Sequence, residues 1–485
     1  MSTAKNSQPS MSPSPQEADS SPRVLAIIVT WNGKEHVLSL LGSLKRISYP
    51  EEKIDVIVVD NASSDNTYEA IQENFPGIRV IRNKENLGGT GGFNTGLGRA
   101  FQEPGGRYDY IWLLDNDVLV HRDCLSELIK ILSEKKDAAV AGSTMMQLDY
   151  PWRINEMGSF VDRGIGRLIL NRHLEPVEEW RGKDMDYLLN CTPHLDKKLE
   201  SCQPCMDVEY VAAASLLIRF EVAREAGLWM DFFIHFDDVE WCLRIASMGW
   251  RVMVSARSLI WHLSGIAKVP TWVQYYDNRN MLYTMQEHGA GPVHMKKLKR
   301  RVAMKGVYYT LTGKADIGGL HFEALEDFER RIKGRRNIQL DCIQKDNSSL
   351  YDVLMEPGIK KVLIPSTVDL QASRVQEQFV RAMMARKDLR VDFVFQKGET
   401  VPYELPRPGL IGLSRFRALR WLFFLKKLKS YDLVFQSDYR SLLLLSFLGK
   451  EVIFINDSSF TRRAVPSWPV VLRRAKLAMS FKYWF

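Results

Sequence analysis

Four groups of residues carry types and spacings that could do chemistry. The apolar run Tyr110-Ile-Trp-Leu-Leu114 ends in Asp115-Asn116-Asp117. On extended chain, residues two apart face the same side, and adjacent carboxylates repel unless a cation lies between them. Hard oxygen ligands suit Mg2+ or Mn2+, which also take phosphate oxygens; the plainer reading is a solvated turn after a strand. The second group, Asn86-Leu-Gly88-Gly89-Thr-Gly91-Gly92-Phe-Asn94, is a glycine cluster opening a helix. Such glycines let backbone N–H groups approach a phosphate, or simply make a flexible turn. It is neither a dinucleotide fingerprint, because Asn94 stands at the last glycine position, nor a P-loop, because no Gly-Lys-Ser/Thr follows. The third group is Asp237-Asp238-Val-Glu240 at the aromatic entrance of a helix. One of these acids could be an N-cap and another a general base tuned by its acidic neighbour. The fourth, Ile260-Trp261-His262, ends a buried strand and reads either as core packing or as a functional imidazole. The order is more specific than any member: Thr30-Trp31-Asn32 at a first strand end, then the Asp-x-Asp, then Asp-Asp, then Trp-His.

These residues need a scaffold, and the first half of the chain supplies one by alternation. Val24–Thr30, Ile54–Val59, Ile78–Asn83, Tyr110–Leu114 and Ala138–Ser143 read as strands, with helices over Lys34–Ile47, Thr67–Asn74, Phe93–Phe101 and 123–133 between them. Continuous apolar strands separated by helices predict a doubly wound α/β sheet, with ligands at the carboxyl ends of its strands. Asp60-Asn61 and Asp115–Asp117 fall at such ends. Residues 150–208 read as loop-rich, Val208–Arg219 as one strand, Val239–Met248 as a helix, Val252–Val254 as a short strand and Trp272–Gln286 as a helix. The expected division is a disordered tail over 1–22, a catalytic domain over 23–290, a helical linker over 291–350 and a small α/β domain over 351–485. In the last, strands at Val362–Pro365, Val391–Phe395, Asp432–Phe435 and Val452–Ile455 alternate with helices at Ser373–Arg386 and Tyr439–Leu448, without a glycine-rich phosphate loop.

Composition narrows the class. The 485 residues are 45% hydrophobic and 26% charged, which fits two or three globular domains and excludes collagen-like, wholly disordered and disulfide-scaffold chains. No apolar run approaches the ~20 residues of a membrane-spanning helix, and residues 1–22 lack the apolar middle of a secretory signal. The six scattered cysteines fit a reducing compartment. Cys202-Gln-Pro-Cys205 has zinc-like spacing, but no second pair follows, so it reads as a loop. The net charge of +8 suits nucleic acid, an anionic membrane or a phosphate-bearing substrate. Basic residues interleave with apolar ones at His294–Lys305, Leu410–Lys429 and Thr461–Phe485. That pattern suits a membrane interface, the alternative being solvated helices with snorkelling side chains. No nucleic-acid motif accompanies it.

The motifs together resemble the family 2 nucleotide-sugar glycosyltransferases of GT-A fold over roughly residues 24–285. Val-Leu-Ala-Ile-Ile-Val-Thr30-Trp-Asn32, Val-Val-Asp60-Asn61-Ala-Ser-Ser-Asp65 and Leu-Leu-Asp115-Asn116-Asp117 carry the likeness. Within the family the chain is most similar to bacterial galactofuranosyltransferases, on Asn86–Phe93, Phe233–Asp238, Ile260–His262 and Tyr275–Asn280. The resemblance implies that Thr30, Asn32, Asp60, Asn86, Gly88, Gly89 and Asn116 bind the nucleotide and donor, with Asp60 on the uracil. It implies that Asp115, Asp117 and His262 hold Mn2+ or Mg2+, and that Asp238 is the catalytic base. Asp237, Trp261 and Arg279 would meet sugars or the diphosphate. The implied reaction is inverting transfer of galactofuranose from UDP-galactofuranose to a growing, lipid-linked bacterial surface polysaccharide. A rhamnosyl- or other hexosyltransferase is the alternative, and a non-catalytic glycan-binding or assembly scaffold is an alternative of another class. The implied location is the cytoplasmic face of the cytoplasmic membrane. Self-association into a homo-oligomer stays open.

Overall fold

The computed structural model describes residues 21–192, 204–263, 272–338, 349–365, 368, 376–396, 408–413, 426–437, 445–455 and 460–479. The N-terminal tail, Cys202, most of Tyr439–Leu448 and Phe481–Phe485 lie outside them. The chain divides into two units: Met1–Pro270 with Arg279–Gly291 and Arg331–Arg336, and Thr271–Asn278 with Pro292–Arg330 and Asn337–Phe485.

The first unit is built on a ten-stranded sheet. Its strands are β1 (Val24–Thr30), β2 (Ile54–Asp60), β3 (Arg79–Arg82), β4 (Tyr110–Asp115), β5 (Val118–Val120), β6 (Ala138–Gln147), β7 (Ile154–Glu156), β10 (Cys205–Val208), β11 (Leu216–Arg219) and β12 (Arg251–His262). Between β7 and β10 a separate hairpin pairs β8 (Ser159–Asp162) with β9 (Arg167–Leu170). The main order is β10-β12-β6-β11-β4-β1-β2-β3, with β5 on β12 and β7 on β6. β1 lies parallel to both β2 and β4, and every one of its seven residues is buried. A strand covered on both faces has no polar side to show, which is why its sequence is a continuous apolar run. The helices that cover the sheet include α1 (Lys34–Leu44), α2 (Thr67–Asn74), α3 (Gly88–Ala100) and α4 (Cys124–Glu134).

The sheet is mixed where alternation predicted parallel strands. Val208–Arg219 is not one strand: the chain breaks at Ala213–Ser215 into a single 3-10 turn and re-enters as β11, antiparallel to β4 and β6. Val252–Val254 is only the start of a twelve-residue strand, β12. β12 runs parallel to β6 on both sides of a bulge between Ser255 and Leu259, and its last residues also pair antiparallel with β5. Bulges bend a strand and re-aim its end.

The second unit has a six-stranded sheet in the order β15-β14-β13-β16-β17-β18. Its strands are β13 (Lys361–Pro365), β14 (Arg390–Gln396), β15 (Gly409–Leu413), β16 (Tyr431–Ser437), β17 (Gly449–Ile455) and β18 (Phe460–Ala464). All pairs are parallel except β17–β18. β15 and β18 were not foreseen in the sequence. Nor is 291–350 a separate linker: helices Pro292–Leu311 and Ala315–Glu329 belong to this unit. Polar tethers fix them there. Arg463 pairs with Asp316, and Arg474 donates to Thr310 Oγ1 at 3.1 Å and to the Ala315 carbonyl.

In the first unit α3 crosses β1 so closely that a Cβ at Gly96 would run into the Ile27 side chain. Both backbones belong to a packed core, so neither gives way cheaply. Gly96→Ala is therefore expected to cost about 1–3 kcal/mol, read as a lower urea midpoint at unchanged slope. An unchanged midpoint would show that α3 can lift off β1 freely.

Candidate active site

The Asp-x-Asp carboxylates are brought together by a turn rather than by strand alternation. Asp115 closes β4, while Asn116 and Asp117 form the tight turn into β5. His262 then arrives from the far end of the domain sequence. The antiparallel pairing of β12 with β5 sets His262 opposite Val118, one residue beyond Asp117. Its Nε2 lies 3.1 Å from Asp117 Oδ1 and 3.8 Å from Asp115 Oδ2. One ligand atom from each of the three residues falls within 4.8 Å of the others. Two hard carboxylate oxygens and one imidazole, all partly open to solvent, are a donor set that fits a divalent cation.

The pocket expected for the nucleotide is a hydrogen-bonded ring of strand-end residues. Thr30 is buried at the end of β1 and accepts from Asn116 Nδ2 at 3.0 Å, so it fixes the middle of the Asp-x-Asp turn. Asn32 accepts from Ser64 N at 2.8 Å and donates its own N–H to Ser63 Oγ at 2.9 Å. Asp60 is fully buried at the end of β2. Its Oδ1 accepts from Ser63 N at 3.0 Å, while Oδ2 lies 3.3 Å from Arg82 Nε without hydrogen-bond geometry. That oxygen is buried and keeps acceptor capacity. Asn86 Oδ1 accepts from Gly88 N at 2.8 Å, and Gly88 O accepts from Asn61 Nδ2 at 2.7 Å. Gly89, the second residue of α3, has open space where a Cβ would stand.

The acidic pair sits at the start of helix α5 (Asp237–Ser247), and the loop before it is strained. Phe233, His235 and Phe236 all have φ between +64° and +69°. Non-glycine residues there cost of order 1–3 kcal/mol each and persist only when their surroundings over-determine them. Helix α6 (Val273–Glu287) supplies the side chain that does so. Asn280 Nδ2 reaches the carbonyls of Phe232 (3.2 Å), Ile234 (2.8 Å) and His235 (2.9 Å). The loop in turn grips the glycine cluster. Thr90 N donates to Phe233 O at 3.2 Å, and that carbonyl fills the space a Cβ on Gly88 (φ +73°) would need. Thr90 Oγ1 donates to Asp237 Oδ2 at 2.5 Å.

Two residues expected to meet sugar or diphosphate are placed in the interior instead. Arg279 is fully buried and donates to Gly334 O (2.9 Å) and Phe232 O (3.0 Å). It is a brace for the strained loop, because a buried guanidinium must spend its donors on nearby carbonyls. Trp261 is fully buried with its Nε1 donating to Pro151 O at 2.9 Å. Alternation along β12 turns it away from the side that His262 occupies. Asp237 is also nearly buried, with Oδ2 taken by Thr90 and Oδ1 accepting from Asp238 N at 3.2 Å.

Asp238 keeps some exposure although it sits deep among protein atoms. Its oxygens accept from Val239 N (2.8 Å) and Ala213 N (3.3 Å). Burial first, and then the Asp237 carboxylate, push it from the usual 3.8 up to about 8. Burial also raises Asp237, against the pull of the Thr90 hydroxyl. Sequence reasoning missed Glu156 and Tyr210 beside them. Glu156 is buried at the end of β7, accepts from Ser159 Oγ at 3.2 Å, and is raised by burial despite the pull of His262. Its field bears on Asp238 and on the Tyr210 hydroxyl, whose own ionisation burial pushes up. The available signal was an acid alternating with apolar Trp152 and Ile154 just before Gly158-Ser-Phe-Val-Asp162.

The mixed α/β sheet with this Asp-x-Asp turn at its strand ends, followed by an additional α/β sheet unit, agrees with the GT-A fold expected from the sequence. Residues 25–179 match the model of glycosyl transferase family 2. Galactofuranosyltransferase GlfT2 of Mycobacterium tuberculosis is 27% identical over 214 residues, 44% of this chain and 32% of that protein. GlfT2 of Mycolicibacterium smegmatis is 23% identical over 373 residues, 72% of this chain and 54% of that protein. The chain thus spans about half, or less, of the length of these curated relatives. Among solved structures, Staphylococcus aureus TarS is 14% identical with a TM-score of 0.40, covering 64% of this chain and 49% of that one.

Asn280 and Asp238 give two tests of this geometry. Asn280→Ala strands buried carbonyls of the loop and is expected to cost about 1–3 kcal/mol, seen as a lower melting temperature; a wild-type melt would show the loop holds itself. Asp238 is raised in the folded state, so its stability contribution is complete below its unfolded value near 3.8 and is lost as pH rises through about 8. Asp238→Asn removes that loss. The variant should melt above wild type at pH 9 in EDTA and close to it at pH 5, and equal differences at both would contradict the raised carboxyl.

Proposed function

We propose that the chain is an inverting glycosyltransferase that moves galactofuranose from UDP-galactofuranose to a hydroxyl of a growing bacterial surface glycan. The observation that carries this reading is the convergence of Asp115, Asp117 and His262 within 4.8 Å at the strand ends of a family 2 domain. The donor assignment rests on the likeness to proteins named galactofuranosyltransferases. Asp115, Asp117 and His262 would hold Mn2+ or Mg2+, with the imidazole favouring Mn2+. Bound there, the cation would offset the charge of the leaving diphosphate.

The chain's own residues do the rest. Asp60 offers its buried Oδ2 to a uracil N–H. Thr30, Asn32 and Asn116 line the nucleotide, and Asn86, Gly88 and Gly89 present backbone to the donor. Asp238, freed of its proton, takes the proton of the acceptor hydroxyl as that oxygen attacks the anomeric carbon from the face opposite the diphosphate. The acceptor C–O bond forms, the bond to the diphosphate breaks, and no covalent enzyme intermediate arises. Asp237 holds Asp238 beside the glycine turn through Thr90. The acceptor is proposed to be lipid-linked, at the anionic inner face of the cytoplasmic membrane. Among the described residues no helix is long and apolar enough to cross a membrane.

The test is nucleotide release and product mass with a lipid-linked disaccharide and separate UDP-galactofuranose, UDP-galactopyranose and dTDP-rhamnose. Release from UDP-galactofuranose alone, abolished by EDTA, is expected. Asp238→Asn should lower turnover about 10²–10⁴-fold with donor binding kept, whereas Asp117→Ala and His262→Ala should weaken metal-dependent UDP binding as well. Retained anomeric configuration would overturn the mechanism, release from dTDP-rhamnose alone would overturn the donor, and UDP binding without any turnover would point to a scaffold.

A further inference from the structure

The second unit contains two helices with basic side chains and no acidic ones. Helix α7 (Pro292–Leu311) has six Lys and Arg and no Asp or Glu; helix α9 (Trp468–Ala478) has three and none. They are neighbours, joined by Arg474 Nη1 to Thr310 Oγ1 at 3.1 Å. By contrast, helix α8 (Ala315–Glu329), packed beside α7, carries Asp316, Glu323, Glu326, Asp327 and Glu329. Charge is thus sorted between adjacent helices of one unit.

The acid-free helices also expose large apolar side chains. α9 is anchored through buried Val471 and Ala478 and through Arg474. Away from that anchor, Leu472 is 64% exposed and Met479, just past the helix end, 63%. Arg473 and Lys476 stand exposed beside them. Trp468 is stacked on Phe447, with ring centroids 4.9 Å apart, yet stays partly exposed. On α7, Val293 (65% exposed), Lys297 and Met304 follow one helical face, with Lys296 exposed next to Lys297. Single exposed apolar residues are ordinary. Leu, Met, Val and Trp interleaved with exposed Lys296, Lys297, Arg473 and Lys476 on two adjoining helices are the chemistry of an interfacial surface: the apolar groups enter the acyl boundary and the cations meet lipid phosphates.

We propose that helices α7 and α9 form a docking surface for an anionic lipid bilayer, with Leu472 and Met479 inserted and Arg473, Lys476, Lys296 and Lys297 against the headgroups. This deepens only the membrane part of the reading above and does not depend on the sugar transferred. The test is co-sedimentation of the full chain with vesicles of phosphatidylcholine, with and without phosphatidylglycerol. Wild type should sediment with the anionic vesicles alone and be released by salt. Leu472→Ser with Met479→Ser, and separately Arg473→Glu with Lys476→Glu, should each weaken binding about tenfold or more. All four side chains are exposed, so melting should not change. Equal binding to both lipids, no binding by wild type, or wild-type binding by either variant would overturn the proposal. So would a dimer that Leu472→Ser with Met479→Ser dissociates while vesicle binding persists, which would assign the face to a second copy. UDP release with a soluble acceptor should be the same in all of these proteins, so failure of docking is distinguishable from failure of transfer.

Discussion

The carboxamide of Asn280 holds a backbone that would not hold itself. Three residues between Phe232 and Asp237 sit in the left-handed region, and three carbonyls of that stretch converge on one nitrogen, with Arg279 closing the cage from the same helix. Local propensity offers no reason for this conformation; long-range hydrogen bonds impose it. What it achieves is placement. The loop's Phe233 carbonyl seats the glycine cluster, and the loop's end starts helix α5 with Asp237 and Asp238 in its first turn.

A second constraint operates at the Asp-x-Asp turn. Two carboxylates at a tight turn repel each other, and the His262 imidazole 3.1 Å from one of them relieves that only partly. The register of β12 against β5, which the bulge after Ser255 makes available, is what delivers His262 to that turn. Glu156 lies within electrostatic reach of both halves, pulled by His262 and raising Asp238. The site is therefore a set of acids whose ionisation is opposed by burial and by one another and favoured by one imidazole and a few backbone donors.

Much of this was legible in the sequence. The apolar runs of β1, β2 and β4 announce buried parallel strands, because a strand covered on both faces has no polar alternation to hide. Asp115 and Asp117 stand out because acids at the end of such a run need a reason. His262 was legible only through its place in the order of motifs. Other features depend on contacts that one sequence does not display. Arg279 looks like an anion ligand until its buried partners are seen to be carbonyls. Trp261 looks like a sugar platform until the pleat turns it inward. The mixed sheet escaped because Val208–Arg219 is apolar throughout, and apolarity alone does not mark the break at Ala213–Ser215. The helices after residue 291 resembled a linker because the tethers that fix them, Arg463 and Arg474, lie some 150 residues further on.

The seating of the Phe233 carbonyl where Gly88 lacks a side chain has a consequence for modularity. The segment proposed to approach the donor and the segment proposed to bear the base are keyed into each other, as a tooth into a notch. They cannot be exchanged singly. A chimera that imports residues 86–93 from a relative inherits a notch cut for another tooth, unless residues 232–238 and the Asn280 brace come with it. The smallest transplantable block therefore reaches from residue 86 to Asn280, well over a hundred residues along the chain.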